Sequence, residues 1–354
     1  MKLVFTWSEN PYSDMWSHLM FLSKTKNAKN LLLGKLQSNR KIIYKDGTEL
    51  DRKANQLSLG ITQAWEYFRA ADSVSIATSP LLYFYGMLSL AKSLIIANKK
   101  NLFFEDIKYH GLTQNSKDTT IENYKKNPKN WKMEDEFIEI RSGVAPHLME
   151  LIDNFQIPNE SIITFKDLLS VCPEIAQLFE LYYQEPSNTI YLYYIREDSD
   201  PYKLVICPSA KNEVEIFKRI PELAKDFEMR DGYKDNVARV FISKNLAVFP
   251  TYFRIYTPPV GGRYIVGALK YRKGTNILSR SIDPIVTDYF ALYILSMCVR
   301  YKQDFWGNII SGEKDGVIGL VQLYLSIAKR RFPNAILNNL FGWEFSYGAP
   351  SRLM

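Results

Sequence analysis

The stretch that most constrains the fold is Asp283 to Trp306 (DPIVTDYFALYILSMCVRYKQDFW), in which the eleven residues Tyr289 to Val299 are apolar except for Ser296. An aspartate ahead of a proline and then an unbroken apolar run predicts a helix buried on nearly every side. Eleven residues fall well short of the ~20 needed to cross a bilayer. Asp288 and Arg300 bound the run, so the helix is expected at the centre of a packed core. Arg300 and Asp304 lie four apart and are expected to pair on one helix face.

Such a helix needs equally apolar neighbours. Residues 79–97 (SPLLYFYGMLSLAKSLIIA) supply one, with Ser79 as a cap and Pro80 suited to the first helical position. Lys92 interrupts the run and no second segment of that length exists, which favours burial in protein over a membrane. Gly86, in mid-helix, is expected to mark the close approach of another helix.

Further helices are read at residues 11–33, with Ser13 or Asp14 as N-cap, at 57–71, near Pro146, near Phe165 with a bend or split at Pro173, and at 315–332. Pro333 should stop the last of these before a short final helix, AILNNLFG. KIIYK, residues 41–45, reads as a strand before an Asp46-Gly47 turn. Between residues 189 and 269 the character changes to short β-branched and aromatic runs separated by Pro, Gly, Asp and Asn, the pattern of an antiparallel sheet, with one helix inserted at Arg219 to Phe227.

The order helices, sheet, helices contains no βαβ alternation. It predicts an α+β, predominantly helical protein whose terminal helices pack into a helical core, with an antiparallel β-sheet lobe from the middle of the chain. The expected boundaries are 1–160 with 276–354 for the core and 161–275 for the lobe. Residues 113–135, where nine charged residues replace apolar ones, read as an exposed lysine-rich loop.

Composition narrows the function classes. A 354-residue chain that is 46% hydrophobic and 14% aromatic excludes wholesale disorder. A net charge of +7 suits an acidic partner, a nucleotide or nucleic acid without being a footprint of any one. Cys172, Cys207 and Cys298 lie far apart with no CxxC, giving no disulfide framework or structural zinc site. The start, MKLVFTWSENPYSD, lacks the apolar length of a signal peptide, and a cytoplasmic protein is expected.

Nucleophile-elbow, phosphate-loop, dinucleotide and HExxH motifs are all missing. His18, His110 and His147 are too few for an ordinary metal site, so neither metal nor cofactor is expected. Arg141 and His147 have the R-x5-H spacing of HEPN ribonucleases, although Gly143 and Pro146 place Arg141 outside the helix that carries His147. His110, in YHGLT, reads as a turn histidine. The loop TPPVGGRY, 257–264, offers a nest of backbone N–H groups beside Arg263 for a phosphate, or simply a hairpin connection. Lys125, Lys126, Lys129 and Lys132 around Trp131 form a basic cluster with one aromatic, suited to a nucleic-acid backbone and a stacked base, or to a solvated loop.

The pieces SPLLYFYGMLSLAKSLI, YHGLT, GVAPHL, FKDLLSVCPEIAQLF, DPIVTDYFALYILSMCVRYKQDFW and FPNAILNNLFG together resemble the YaaC family of bacterial proteins, in order and along nearly the whole chain. The family's HGL and G-x-x-x-H-L patterns correspond to His110, Gly111, Gly143 and His147, and its R-Y-x-x-x-x-W to Arg300, Tyr301 and Trp306. The resemblance implies a link to purine metabolism, through a gene beside that of inosine monophosphate dehydrogenase in some firmicutes. Helical proteins of this kind have also been compared with HEPN-type domains in phage defence. The expectation is a non-catalytic interaction or regulatory protein with a protein partner or second copy, nucleotide-responsive through Arg300, Arg263, His110 and His147. The alternative is a HEPN-like ribonuclease using Arg141 and His147, or a nucleic-acid-binding effector.

Overall fold

The computed structural model describes residues 2–38, 47–99, 101–115, 131–199, 202–208, 217–231, 239–243, 251–258, 262–312 and 316–347. The chain forms two compact units, Met1–Phe165 with Ile285–Met354, and Lys166–Pro284. The protein is predominantly helical and of α+β class. The strand expected at 41–45 lies outside the described residues.

The first unit opens with strand β1 (Lys2–Thr6) and helix α1 (Pro11–Met20). The cap of α1 is Asn10, not Ser13 or Asp14: its side chain accepts from Ser13 N at 3.2 Å, and Pro11 fills the first helical position. Helices α2 (Thr25–Ser38), α3 (Gly47–Asp72) and α4 (Ser79–Asn98) follow. Helix α3 begins about ten residues earlier than its apolar pattern shows, because its first turns carry Glu49, Asp51 and Arg52.

Helices α3 and α4 pack closely at two glycines. A Cβ on Gly86 would lie 2.5 Å from the Phe68 ring, and one on Gly60 would collide with Ser93 and Phe104. The close approach expected at Gly86 is therefore present. Helix α4 is long and apolar enough to cross a membrane, and 72% of its apolar window is buried inside the protein.

Strands β2 (His110–Thr113), β3 (Phe137–Gly143) and β4 (Ile162–Thr164) pair antiparallel, and helix α5 (Val144–Asp153) leaves directly from β3. The two motif glycines shape this corner. Gly111 has φ +80° and Gly143 φ +140°, and a Cβ on either would strike neighbouring backbone. His110 and Gly143 are register partners, so the histidine expected in a turn begins a strand.

In the second unit, α6 (Phe165–Ser170) leads from the boundary to α7 (Ala176–Tyr183), separated at Pro173 as the sequence suggested. Six antiparallel strands follow: β5 (Thr189–Ser199), β6 (Tyr202–Pro208), β7 (Phe227–Asp231), β8 (Arg239–Ser243), β9 (Phe253–Tyr256) and β10 (Arg263–Gly267). Their order is β7-β8-β6-β5-β10-β9. The inserted segment is not one helix: Arg219 is helical, the helix breaks at 220–222, α8 (Leu223–Asp226) follows, and Phe227 already belongs to β7. Ile190, Leu192, Ile220, Leu223, Phe227, Phe253 and Ile265 form the core under this sheet. A hairpin of β11 (Leu269–Lys273) and β12 (Asn276–Arg280), turning at Gly274, completes the unit.

Helix α9 (Pro284–Tyr301) returns to the first unit, with Ile285, Val286, Tyr289, Phe290, Leu292, Ile294, Leu295 and Cys298 essentially without exposure. It ends at Tyr301, and α10 (Gln303–Ser311) starts after Lys302, whose φ of −135° lies outside helical geometry. This break separates Arg300 from Asp304, and the expected ion pair between them is not formed.

Helix α11 (Ile318–Phe341) continues through Pro333, where the sequence predicts a stop. An interior proline costs about 3 kcal/mol. Burial of Phe332, Ile336, Leu337 and Leu340, each about 1.5–3 kcal/mol, outweighs it. Strand β13 (Trp343–Tyr347) then pairs in parallel with β1, Lys2 opposite Trp343.

Candidate functional site: a cationic pocket on the first unit

The helical spacing of α4 places Tyr85, Leu88, Ser89 and Lys92 on one strip. With Gln63 and Tyr67 of α3 and with Phe104, these residues line a cavity of about 170 Å³. The Tyr67 and Tyr85 rings stack at 5.6 Å, and Ser89 Oγ donates to Gln63 Oε1 at 3.0 Å.

One cation, Lys92, lines this pocket and a second, Arg300, adjoins it at Tyr85; neither has an acidic partner among the described residues. Lys92 is half-buried and makes no hydrogen bond or ion pair among the described residues; burial lowers its pKa from the usual lysine value. Arg300, at the end of α9, donates from Nη1 to Tyr85 Oη at 3.3 Å, from Nε to the Ser296 carbonyl at 3.4 Å, and from Nη2 to Met297 Sδ at 3.2 Å. Its guanidinium also lies over the rings of Tyr301 and Tyr85, at 5.1 and 5.8 Å. No carboxylate is among these partners.

His110, on β2, is not among the residues that line the cavity. Its ring sits between Tyr293, at 5.2 Å, and Phe84, at 6.3 Å, while its carbonyl accepts from the Tyr289 hydroxyl at 3.1 Å. Burial first, then the charges of Arg300 and Lys92, lower its pKa below the ordinary 6.5, which keeps the imidazole neutral at pH 7. Burial also pushes the Tyr293 phenol up to about 12.

His147 has different company. Its Nδ1 is 3.0 Å from Lys99 Nζ, which also pairs with Glu150, and no hydrogen bond or ring contact links it to His110 or Arg300 among the described residues. Arg141 lies on β3, where it pairs with Glu139 and with Glu160 at 3.5 Å. The two ends of the R-x5-H spacing therefore sit on a strand and a helix, each with its own partners. Arg263 is exposed at the start of β10 in the second unit, and 259–261 of its loop lie outside the described residues.

Of the lysine-rich cluster, Lys125, Lys126 and Lys129 lie outside the described residues. Lys132 is exposed, 3.7 Å from Glu134. Trp131 is engaged: its Nε1 donates to Glu136 Oε1 at 2.6 Å, and Lys302 lies 5.5 Å over its ring. Glu136 is fully buried and also accepts from Lys302 Nζ at 2.6 Å and from Gln114 Nε2 at 2.9 Å. Among the described residues no group of His, Cys, Asp and Glu is arranged to hold a metal ion.

Sequence reasoning singled out His110 and Arg300 but missed Lys92, Tyr85, Tyr67 and Gln63. One signal was present: Lys92 is the only charged residue in α4. In the sequence alone it reads as an interruption of an apolar run.

The fold is that of a predominantly helical α+β protein, with a tyrosine-lined cavity at α3 and α4. The chain belongs to the YaaC-like protein family, whose model matches residues 20–340 and so includes every residue of this pocket. No curated protein and no solved structure matches it.

Proposed function

We propose that the protein is a non-catalytic regulatory protein that binds a nucleotide-class anion in the pocket lined by Lys92 and adjoined by Arg300, and signals its occupancy to a protein partner or a second copy of itself. The observation that carries this reading is that Lys92 lines a tyrosine-walled cavity and Arg300 adjoins it at Tyr85, with no carboxylate paired to either cation among the described residues. A half-buried charge without a counter-charge is costly, and an anionic ligand removes that cost. Arginine also suits phosphate through its planar fork of donors. A purine nucleotide fits the metabolic link that the family resemblance implies.

A ribonuclease reading draws no support from Arg141 and His147, which are held on different elements by different partners. The proposal is tested by calorimetric titration of the full chain with AMP, GMP and adenosine. Binding of the nucleotides, weakened about tenfold or more in Arg300→Gln, is expected. Absence of binding by either nucleotide sinks the proposal.

A further inference from the structure

Resting on that reading, we infer that the pocket selects a phosphomonoester, holding its terminal phosphate between Lys92 and Arg300 while the organic remainder projects outward past Tyr67 and Tyr85. Size and charge carry the argument. The cavity of about 170 Å³ is smaller than the roughly 300–1,000 Å³ of pockets that enclose a whole drug-sized ligand. It accepts one end of a ligand, and the end must suit what lines it.

That lining carries Lys92 and hydrogen-bonding groups on Gln63, Ser89 and Tyr85, with no carboxylate among the cavity's residues, and a second cation, Arg300, adjoins it at Tyr85. A phosphomonoester carries about −1.5 to −2 charges at pH 7 and three acceptor oxygens, matching two cations; a diester or a carboxylate carries one charge and leaves one cation unmatched. Arg300 reaches the cavity through Tyr85 Oη, 3.3 Å from its Nη1, so a phosphate at this edge exchanges a neutral acceptor for a charged one. His110, neutral and under the influence of both cations, adds no competing charge. The stacked rings of Tyr67 and Tyr85 at the wall offer an apolar surface to a base or a sugar.

The experiment is calorimetry on the full chain with AMP, GMP, ribose 5-phosphate, inorganic phosphate and 3′,5′-cyclic AMP. The monoesters are expected to bind about tenfold or more tighter than the cyclic diester, with Lys92→Met and Arg300→Gln each removing about tenfold or more. Lys92→Met should melt no lower than the parent protein, because it deletes an unmatched charge, so its loss of binding is separable from misfolding. Ribose 5-phosphate equal to AMP still supports the inference and assigns the outer wall to the sugar. Cyclic AMP binding as tightly as AMP, or inorganic phosphate matching both, overturns the inference while leaving the broader anion-binding reading standing. No binding by any of the five overturns both.

Discussion

Arg331 holds Asp288 with both edges of its guanidinium, Nε to Oδ2 at 2.8 Å and Nη2 to Oδ1 at 2.6 Å, at the buried junction of α11 and α9. The Tyr324 hydroxyl donates to the same carboxylate at 2.8 Å. Bidentate geometry satisfies both charges where water does not reach. Breaking the pair by Arg331→Met leaves a bare buried carboxylate and should cost about 3–5 kcal/mol. Replacing both residues, as Asp288→Leu with Arg331→Met, should recover much of that loss. Urea unfolding of the three proteins measures it; equal stability of the single variant and the parent would refute the role.

This pair also shows how far the sequence could be read. The apolar run of α9 located the core helix, and Asp288 stood out in it as a polar exception. Its partner lies 43 residues later, two residues before a proline that predicts a helix end, so nothing local marks Arg331 as buried. Periodicity reports faces, not long-range partners. Strand β1 was missed for a related reason: its pairing with β13 joins residues at opposite ends of the chain. The sheet in the second unit was legible because β-branched runs between turn residues are a local signal. At the candidate site, His110 and Arg300 could be found by residue type, whereas Tyr85 and Lys92 become site residues only once α3 is packed against α4.

The α3–α4 contact yields a prediction in which position, not residue type, decides the sign. Gly86→Ala places a Cβ 2.5 Å from the Phe68 ring and 3.3 Å from the Ala64 carbonyl. Overpacking of this kind should cost about 1–3 kcal/mol. Gly319→Ala, in α11 with nothing within 4 Å of the new methyl, should instead be neutral or stabilising by up to about 1 kcal/mol. Thermal melts of the two variants should move in opposite directions or, at the least, only Gly86→Ala should fall.

Lys53 gives a second test of the same helix pair. Its side chain is fully buried, and Nζ donates to the carbonyls of Ile96, Lys99 and Leu102 at 3.0, 2.7 and 3.0 Å, closing the C-terminal end of α4. A cation there also complements the partial negative charge of the helix end. Lys53→Met removes every one of these donors and should cost about 1–3 kcal/mol for each carbonyl left without a partner, less what water recovers. Amide exchange should accelerate at the end of α4 and not in α11; uniform acceleration throughout would point to a general packing defect.

Acid should weaken the fold through its histidines before it reaches its carboxylates. His110 and His147 both have folded-state pKa values below the ordinary 6.5, chiefly from burial, with Arg300 and Lys92 acting on the first and Lys99 on the second. Below pH 6.5 the unfolded chain therefore binds more protons than the folded one, so stability must fall as pH drops through that range. The double variant His110→Asn, His147→Asn should flatten the change in melting temperature between pH 7 and 5.5 while leaving the carboxylate-driven loss at lower pH. A phosphomonoester bound to Lys92 and Arg300, the two cations that lower the His110 pKa, offsets their charge, raises that pKa and should flatten the parent's profile in the same window. If the profile keeps its slope in the double variant, other groups drive the acid response and the histidine assignment is wrong.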